Sequence, residues 1–529
     1  MSAFPSIHGQ GRGRFLTLVV VTALLQAGAA AISAVATRDV FATFLAPAKP
    51  LPVAALTVLA ASGIVIAVGR VAQAMVSERL GQSFAGDLRE RLFTHLSRMP
   101  RMAVQNQRRG GLSLRFVGDL SSIRNWVGDA MPKLIAAGFV LPAACGAGIL
   151  LHPLLGAVLT TCVCAGLVAM TFAARTLRRL HRALRRQRAR LSADMSERAP
   201  QAPDLRLIGR MDHERERLRT RTRSLTEAAT ARRRAGAVMR AIPDVIAAIA
   251  AAMVLATALH LDLPASLAAG GLAAAAIFVA PLRDLAMIWD RYNAFVVARS
   301  KCLRVFRRPI LLTFEALPSR PSLTFEDVSH GPLQNLSFHV PVVGLLRVQG
   351  SNGTGKTTLL RLAAGLEEPD QGRVLIGKHP ATSAAPEVGI CLIDTHTPIL
   401  AGSLRRCLTL GAVKRPSDAQ ILEATTTFGL ETLLHRLDGL DGRVSELGRN
   451  ISEGERWRVL LARASLTKAR LILLDCPEGA LDLDSLDTIV QCLANERTTL
   501  IITERERNAD LQQGETPSID LSLDQVRGG

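Results

Sequence analysis

The sequence predicts two domains of different class: an all-α domain of about six membrane-spanning helices, then an α/β domain built around a phosphate-cradling loop. Three observations carry that reading. The chain through Leu282 holds long runs almost free of charge. The later half holds Gly350–Thr357, G-S-N-G-T-G-K-T, which fits the pattern G-x-x-x-x-G-K-[ST]. Composition agrees: 48% of residues are hydrophobic and mean hydropathy is +0.23, yet the formal charge is +19. That pairing suits a membrane protein with basic surface segments better than a soluble nucleic-acid binder. Aromatics make up 4%, too few to supply stacking on bases, so no nucleic-acid partner is expected.

The spans come in pairs. Phe15–Ala36 carries no charge, and Leu51–Gly69 is uncharged up to Arg70. Leu134–Leu151 ends at His152-Pro153, a tight turn, and Leu154–Ala174 follows. Val245–Leu259 and Pro264–Leu282 form the last pair, joined by His260–Leu263. Each matches a hydrocarbon core of about 30 Å, with Val245–Leu259 borrowing flanking residues. The N-terminus lacks a signal-peptide cleavage pattern, so the first run is expected to stay as a span.

Charge then sets orientation. Arg70, Arg89, Arg91, Arg98 and Arg101 follow the second span, and Arg175, Arg178, Arg179 and Arg182 open the stretch after the fourth. The loops after spans one, three and five are short and poor in Lys and Arg, so the basic loops are cytoplasmic, as are both termini. Leu177, Leu180, Leu184 and Leu191 recur at helical spacing among the arginines, which predicts an amphipathic helix leaving the membrane. Its basic face suits anionic membrane lipid. Asp244, Asp262 and Asp284 fall at span edges and read as solvated caps, so no substrate site is assigned from them. The eight cysteines lack metal-ligand spacing and are expected to be reduced.

After Phe306-Arg-Arg-Pro309 the spans stop, and Pro318 and Pro321 mark a linker, placing the domains at 1–310 and 311–529. Gly344–Gln349 reads as a buried strand and Thr358–Ala364 as a helix, the context the phosphate motif needs. Gly350, Gly353 and Gly355 let backbone N–H groups face a phosphate, with Ser351, Asn352 and Thr354 completing the loop and Thr358 opening the helix. Lys356 is placed to reach the β- and γ-phosphates of ATP, and the Thr357 hydroxyl to ligate Mg²⁺.

Further motifs make the chain resemble an ABC transporter, a half-transporter of the exporter type with membrane and ATP-binding domains fused. Leu471-Ile-Leu-Leu-Asp475 resembles the strand whose aspartate serves Mg²⁺ through water, and Gly479-Ala-Leu-Asp482 the loop that meets the opposite subunit. Ile451-Ser-Glu-Gly-Glu455 occupies the signature position, and Arg443–Gly448 resembles the exporter-specific loop before it. Leu92–Pro100 with Gly110-Gly111, and Leu207–Asp212, resemble the two cytoplasmic loops that carry coupling helices. The resemblance implies a dimer in which Ser452, Gly454 and Glu455 meet the ATP of a second half-transporter. Glu453 and Glu455 add carboxylates that crowd a γ-phosphate.

Departures from the pattern cluster where hydrolysis is done. Cys476 stands where the resemblance expects the catalytic glutamate, Glu504 where it expects the switch histidine, and Thr395 (with His396 beside it) where it expects a glutamine. Glu478 lies two residues past Asp475 and should point elsewhere. No aromatic platform for adenine is found, its slot falling near Pro332, and Phe325 reads as a buried strand residue. The expectation is therefore ATP-driven export across a bacterial inner membrane as the hydrolysis-deficient half of a heterodimer. The alternative is a non-transporting ATP-binding regulatory or assembly subunit.

Overall fold

The computed structural model describes residues 4–44, 51–105, 115–311, 322–340, 344–383, 389–493, 498–504 and 518–520. The chain forms two compact units: Met1–His95 with Gln107–Arg307, and Leu96–Asn106 with Arg308–Gly529. Gly110-Gly111, Pro318 and Pro321, singled out in the sequence, lie outside the described residues.

The first unit is helical: α1 (Arg12–Phe44), α2 (Val53–Ser97), a short α4 (Leu120–Asn125), α5 (Met131–Leu151), α6 (Pro153–Arg198), a short α7 (Ala202–Leu207), α8 (Met211–His260) and α9 (Ala265–Phe306). Six of its helical stretches are long and apolar enough to cross a membrane. At 1.5 Å per residue, the 46 residues of α6 run roughly 70 Å, about twice the hydrocarbon thickness. The excess is the arginine-rich continuation, in which Leu177 and Leu184 are buried and the neighbouring Arg178, Arg179 and Arg182 are exposed. His152 is extended and caps α6 with its Nδ1 accepting from the Leu154 N–H (3.3 Å), which makes the turn between α5 and α6.

Small residues let these helices approach. A Cβ on Gly81 of α2 would come within 2.9 Å of the Gly128 Cα, so the two backbones lie against each other. Leu155, Leu159, Ala250, Val254, Ala274 and Phe278 are fully buried in the core of this unit. Arg12 and Asp87, both buried, pair at 2.9 Å.

In the second unit a short helix, α3 (Arg101–Gln105), packs with the sheets. The strands are β1 (Leu323–His330), β2 (Leu333–Val340), β3 (Gly344–Gln349), β4 (Gln371–Ile376), β5 (His379–Pro380), β6 (Ile390–Ile393), β7 (Gly402–Ser403), β8 (Arg443–Val444), β9 (Leu471–Asp475), β10 (Thr499–Thr503) and β11 (Ser518–Asp520). One sheet is antiparallel, in the order β2-β1-β4-β5; a second is parallel, β11-β3-β10-β9-β6; and β7 pairs antiparallel with β8 in a third. Helices α10 (Lys356–Ala363), α11 (Leu404–Thr409), α12 (Asp418–Thr427), α13 (Glu431–Arg436), α14 (Glu453–Leu466) and α15 (Leu483–Leu493) complete it. β9 and β10 are near-continuous apolar runs because both faces of a parallel sheet are covered. Phe325 is buried on β1 and stacks on Phe338, with centroids 4.4 Å apart.

Candidate nucleotide site

The loop after β3 and the ends of β9 and β10 meet at one edge of the parallel sheet, where open α/β sheets bind ligands. Gly350, Gly353 and Gly355 all take positive φ, and a Cβ on Gly355 would lie 2.7 Å from the Leu333 side chain. That crowding places Pro332 and Leu333, the turn into β2, against the loop. Thr354 is buried and its hydroxyl donates to the Ser351 carbonyl at 3.0 Å; Asn352 is exposed at the loop tip. Lys356 is buried and its ammonium donates to the carbonyls of Gly350 (2.5 Å) and Ser351 (2.7 Å). Thr358 lies half-buried in the first turn of α10, whose N-terminus faces the loop.

The Thr357 hydroxyl donates to Asp475 Oδ2 at 2.7 Å, bringing together two residues 118 apart in sequence. A hydroxyl and a carboxylate side by side are hard oxygen donors that could hold Mg²⁺. The other carboxylate oxygen of Asp475 accepts from Thr503 at 3.0 Å, a residue the sequence reading did not single out. Thr503 also anchors the next residue: the Cys476 N–H donates to the Thr503 carbonyl and hydroxyl, both at 3.1 Å. Cys476 is half-buried with φ 53 and ψ 57, a left-handed backbone. Burial pushes its thiol above the ordinary range, with Glu478 and Asp475 adding to the rise and Thr503 and Lys356 opposing it. At pH 7 it is a neutral thiol and cannot take a proton.

Glu504 is buried and ion-paired with Arg347 of the neighbouring β3. A lone arginine inside an apolar strand needs such a partner, and that was the signal for it in the sequence. The segment at Thr395 is tied from two sides. Arg456 of α14 donates to the carbonyls of Thr395 (2.8 Å) and Thr397 (2.6 Å). Asp394 accepts from the Thr397 hydroxyl, the His396 N–H and Arg101 of α3, the last at 2.8 Å. Burial would raise the Asp394 carboxyl, but Thr397 and Arg101 outweigh it and hold it below the usual range.

Ser452 caps α14, its hydroxyl accepting from the Glu455 N–H at 3.2 Å while Glu455 accepts from the Ser452 N–H at 2.8 Å. Arg436 grips the Glu455 carboxylate at 2.6 and 2.8 Å. Burial raises the Glu455 pKa, and Ser452 and Arg436 more than reverse that. Gly454 faces the loop after β9: a Cβ there would sit 3.2 Å from the Ala480 carbonyl. The signature segment and that loop therefore adjoin within one chain, while Glu453 is exposed.

Comparison with known proteins places these features in a family. The family profile described as "ABC transporter transmembrane region" matches residues 16–282, and that described as "ABC transporter" matches residues 333–478. The mycobactin import ATP-binding/permease protein of Mycobacterium bovis is 34% identical over 198 residues, 35% of this chain and 34% of that one. The match thus spans about a third of that relative's length. The ATP-dependent lipid A-core flippase of Nitrosococcus oceani is 24% identical over 468 residues, 81% of this chain and 76% of that protein. A solved bacterial Atm1-family ABC exporter with ATP bound superposes with a TM-score of 0.81 at 20% identity, covering 98% of this chain and 94% of that one. That likeness concerns the fold.

Proposed function

This chain belongs to the ABC transporter family, and from that premise we propose that it exports an unidentified solute across a bacterial inner membrane as the hydrolysis-deficient half of a heterodimer. It is a multi-pass membrane protein with an ATP-binding domain, in a family that works as dimers. The observation that carries the finer reading is Cys476. The residue after Asp475 is a half-buried thiol where the family pattern has a carboxylate, and burial favours its neutral form.

The binding groups stand apart from that defect. Lys356 offers a point charge to the terminal phosphates, the glycine loop offers N–H donors, and Thr357 with Asp475 would hold Mg²⁺. When bound there, Mg²⁺ would neutralise charge on the phosphate oxygens. Glu504 brings no bare carboxylate to that edge, since Arg347 compensates it. The nucleotide would be gripped and cleaved slowly, and a partner subunit with an intact base would turn over its own. Ser452 and Gly454 would serve that partner's nucleotide, with Arg436 restraining the Glu455 charge beside them.

The test uses the full chain in lipid, alone and with a partner half recovered from its native membrane. Expected are tight retention of a fluorescent ATP analogue and phosphate release far below the ordinary enzyme range of about 1–10³ s⁻¹. Brisk release by the purified chain alone would overturn the reading, as would recovery of self-pairs only from a membrane in which transport is intact.

A further inference from the structure

Thr503 is the last residue of β10, in register with Asp475 of β9 on one side and Val348 of β3 on the other. It is fully buried, a polar side chain closing an apolar strand. Its β-branched side chain has few rotamers, so strand pairing sets where the hydroxyl lies. That hydroxyl has one proton and two lone pairs to distribute. It accepts from the Cys476 N–H at 3.1 Å. Its proton has two acceptors within reach, Asp475 Oδ1 at 3.0 Å and the Leu474 carbonyl at 3.4 Å, and the nearer, charged one takes it.

The Asp475 carboxylate is thereby held at both ends. Oδ1 accepts from Thr503, and Oδ2 accepts from the Thr357 hydroxyl at 2.7 Å. The terminal torsion of an aspartate is soft, so a carboxylate with one fixed oxygen can still turn. Donors from the end of β10 and the first turn of α10 stop that turning. Thr503 is itself pinned from the β3 side. The Glu504 N–H donates to the Val348 carbonyl at 2.9 Å, and the Glu504 carboxylate pairs with Arg347. The Thr503 carbonyl accepts from the Cys476 N–H at 3.1 Å as well, so the turn after Asp475 stays anchored where the hydroxyl alone is removed.

We propose that Thr503 is a positioning residue for metal-bound nucleotide: it aims Asp475 Oδ2 at the phosphate loop, where Asp475 and Thr357 hold Mg²⁺ together. Thr503 acts through Asp475 and touches neither metal nor nucleotide. Mg²⁺ demands near-ideal octahedral oxygens whereas Ca²⁺ tolerates a loose set, so a fixed carboxylate favours the smaller ion. The assignment rests on the reading of this loop as a nucleotide site, and goes beyond it in naming what keeps the metal ligand aimed.

The experiment titrates the full chain in nanodiscs with a fluorescent ATP analogue, in Mg²⁺, in Ca²⁺ and in EDTA. Thr503→Val keeps the branched shape and removes the hydroxyl. It is expected to lose roughly tenfold of the Mg²⁺-dependent gain in affinity, to lose less of the Ca²⁺-dependent gain, and to keep the metal-free affinity. Thr503→Ser is expected to keep most of the Mg²⁺-dependent gain. Because Thr503 acts through Asp475, adding Thr503→Val to Asp475→Asn should cost nothing beyond the loss that Asp475→Asn already causes. An unchanged Mg²⁺-dependent gain in Thr503→Val, equal losses with both ions, a loss in Thr503→Ser as large as in Thr503→Val, or additive losses in the double variant would overturn the proposal. So would a metal-free affinity that falls as far as the affinity in Mg²⁺, since Thr503 would then support the frame of the site and not the aim of one carboxylate. A wild-type chain that retains no nucleotide sinks the nucleotide reading itself; a wild-type Mg²⁺-dependent gain that survives Thr503→Val sinks the role of Thr503 alone.

Discussion

The end of β3 and the ends of β9 and β10 belong to adjacent strands of one sheet, yet they carry different chemistry. After β3 the phosphate loop is complete: three glycines in positive φ, a buried lysine and a threonine aimed at Asp475. One strand away a carboxylate locked to Arg347, and two strands away a thiol, replace the groups expected to activate water. The phosphate loop and the residues at the cleavage positions are thus housed on separate elements, with Asp475 joining them. One can be lost while the other keeps its geometry, because Thr503 ties Asp475 and Cys476 in place whatever side chain follows.

That contrast can be broken most directly by restoring the missing base. Cys476→Glu is expected to raise phosphate release by about 10²-fold, the lower end of what a positioned base contributes, with Glu504 left in place. A coupled phosphate assay on the full chain in lipid reads it, and an unchanged rate would locate the defect elsewhere. Attacking the other edge, Lys356→Ala should weaken retention of a fluorescent ATP analogue by roughly 30-fold or more. A finer cut is Thr357→Val, which removes only the hydroxyl. It should leave binding without metal intact and erase roughly tenfold of the Mg²⁺-dependent gain, measured by titration with and without Mg²⁺.

Two smaller effects test the frame around both edges. Arg101→Ala leaves Asp394 with only Thr397 and His396 as partners and should cost about 1–3 kcal/mol in denaturant unfolding. The sign with pH follows from the depressed Asp394 carboxyl: its contribution is present above the unfolded value of about 3.9 and is lost as pH falls through the folded value. Stability compared at pH 7 and pH 3 should therefore drop less in Arg101→Ala than in the wild type. Arg436→Ala should cost only about 0.5–1 kcal/mol, since that arginine is half-exposed, and added salt should shrink the difference.

Legibility in the sequence followed distance along the chain. The phosphate loop and the six spans are contiguous patterns, and each is found where its residues predict it. What the sequence hides is register. Glu504 reads as a charge beside a triphosphate until β10 lies next to β3, where Arg347, 157 residues earlier, neutralises it. Arg101 and Asp394 are nearly 300 residues apart, and no local pattern announces the bond between them.

The left-handed turn at Cys476 has a consequence for how this position can vary. Its N–H is held by the Thr503 carbonyl and hydroxyl, so the residue there is a tenant in a preformed socket. Such a φ disfavours L side chains by roughly 1–2 kcal/mol, least for asparagine and not at all for glycine. A library of substitutions at this single residue would therefore sort chemistry from architecture, because every occupant inherits the same aim at the phosphate edge and differs only in what it can do with a proton.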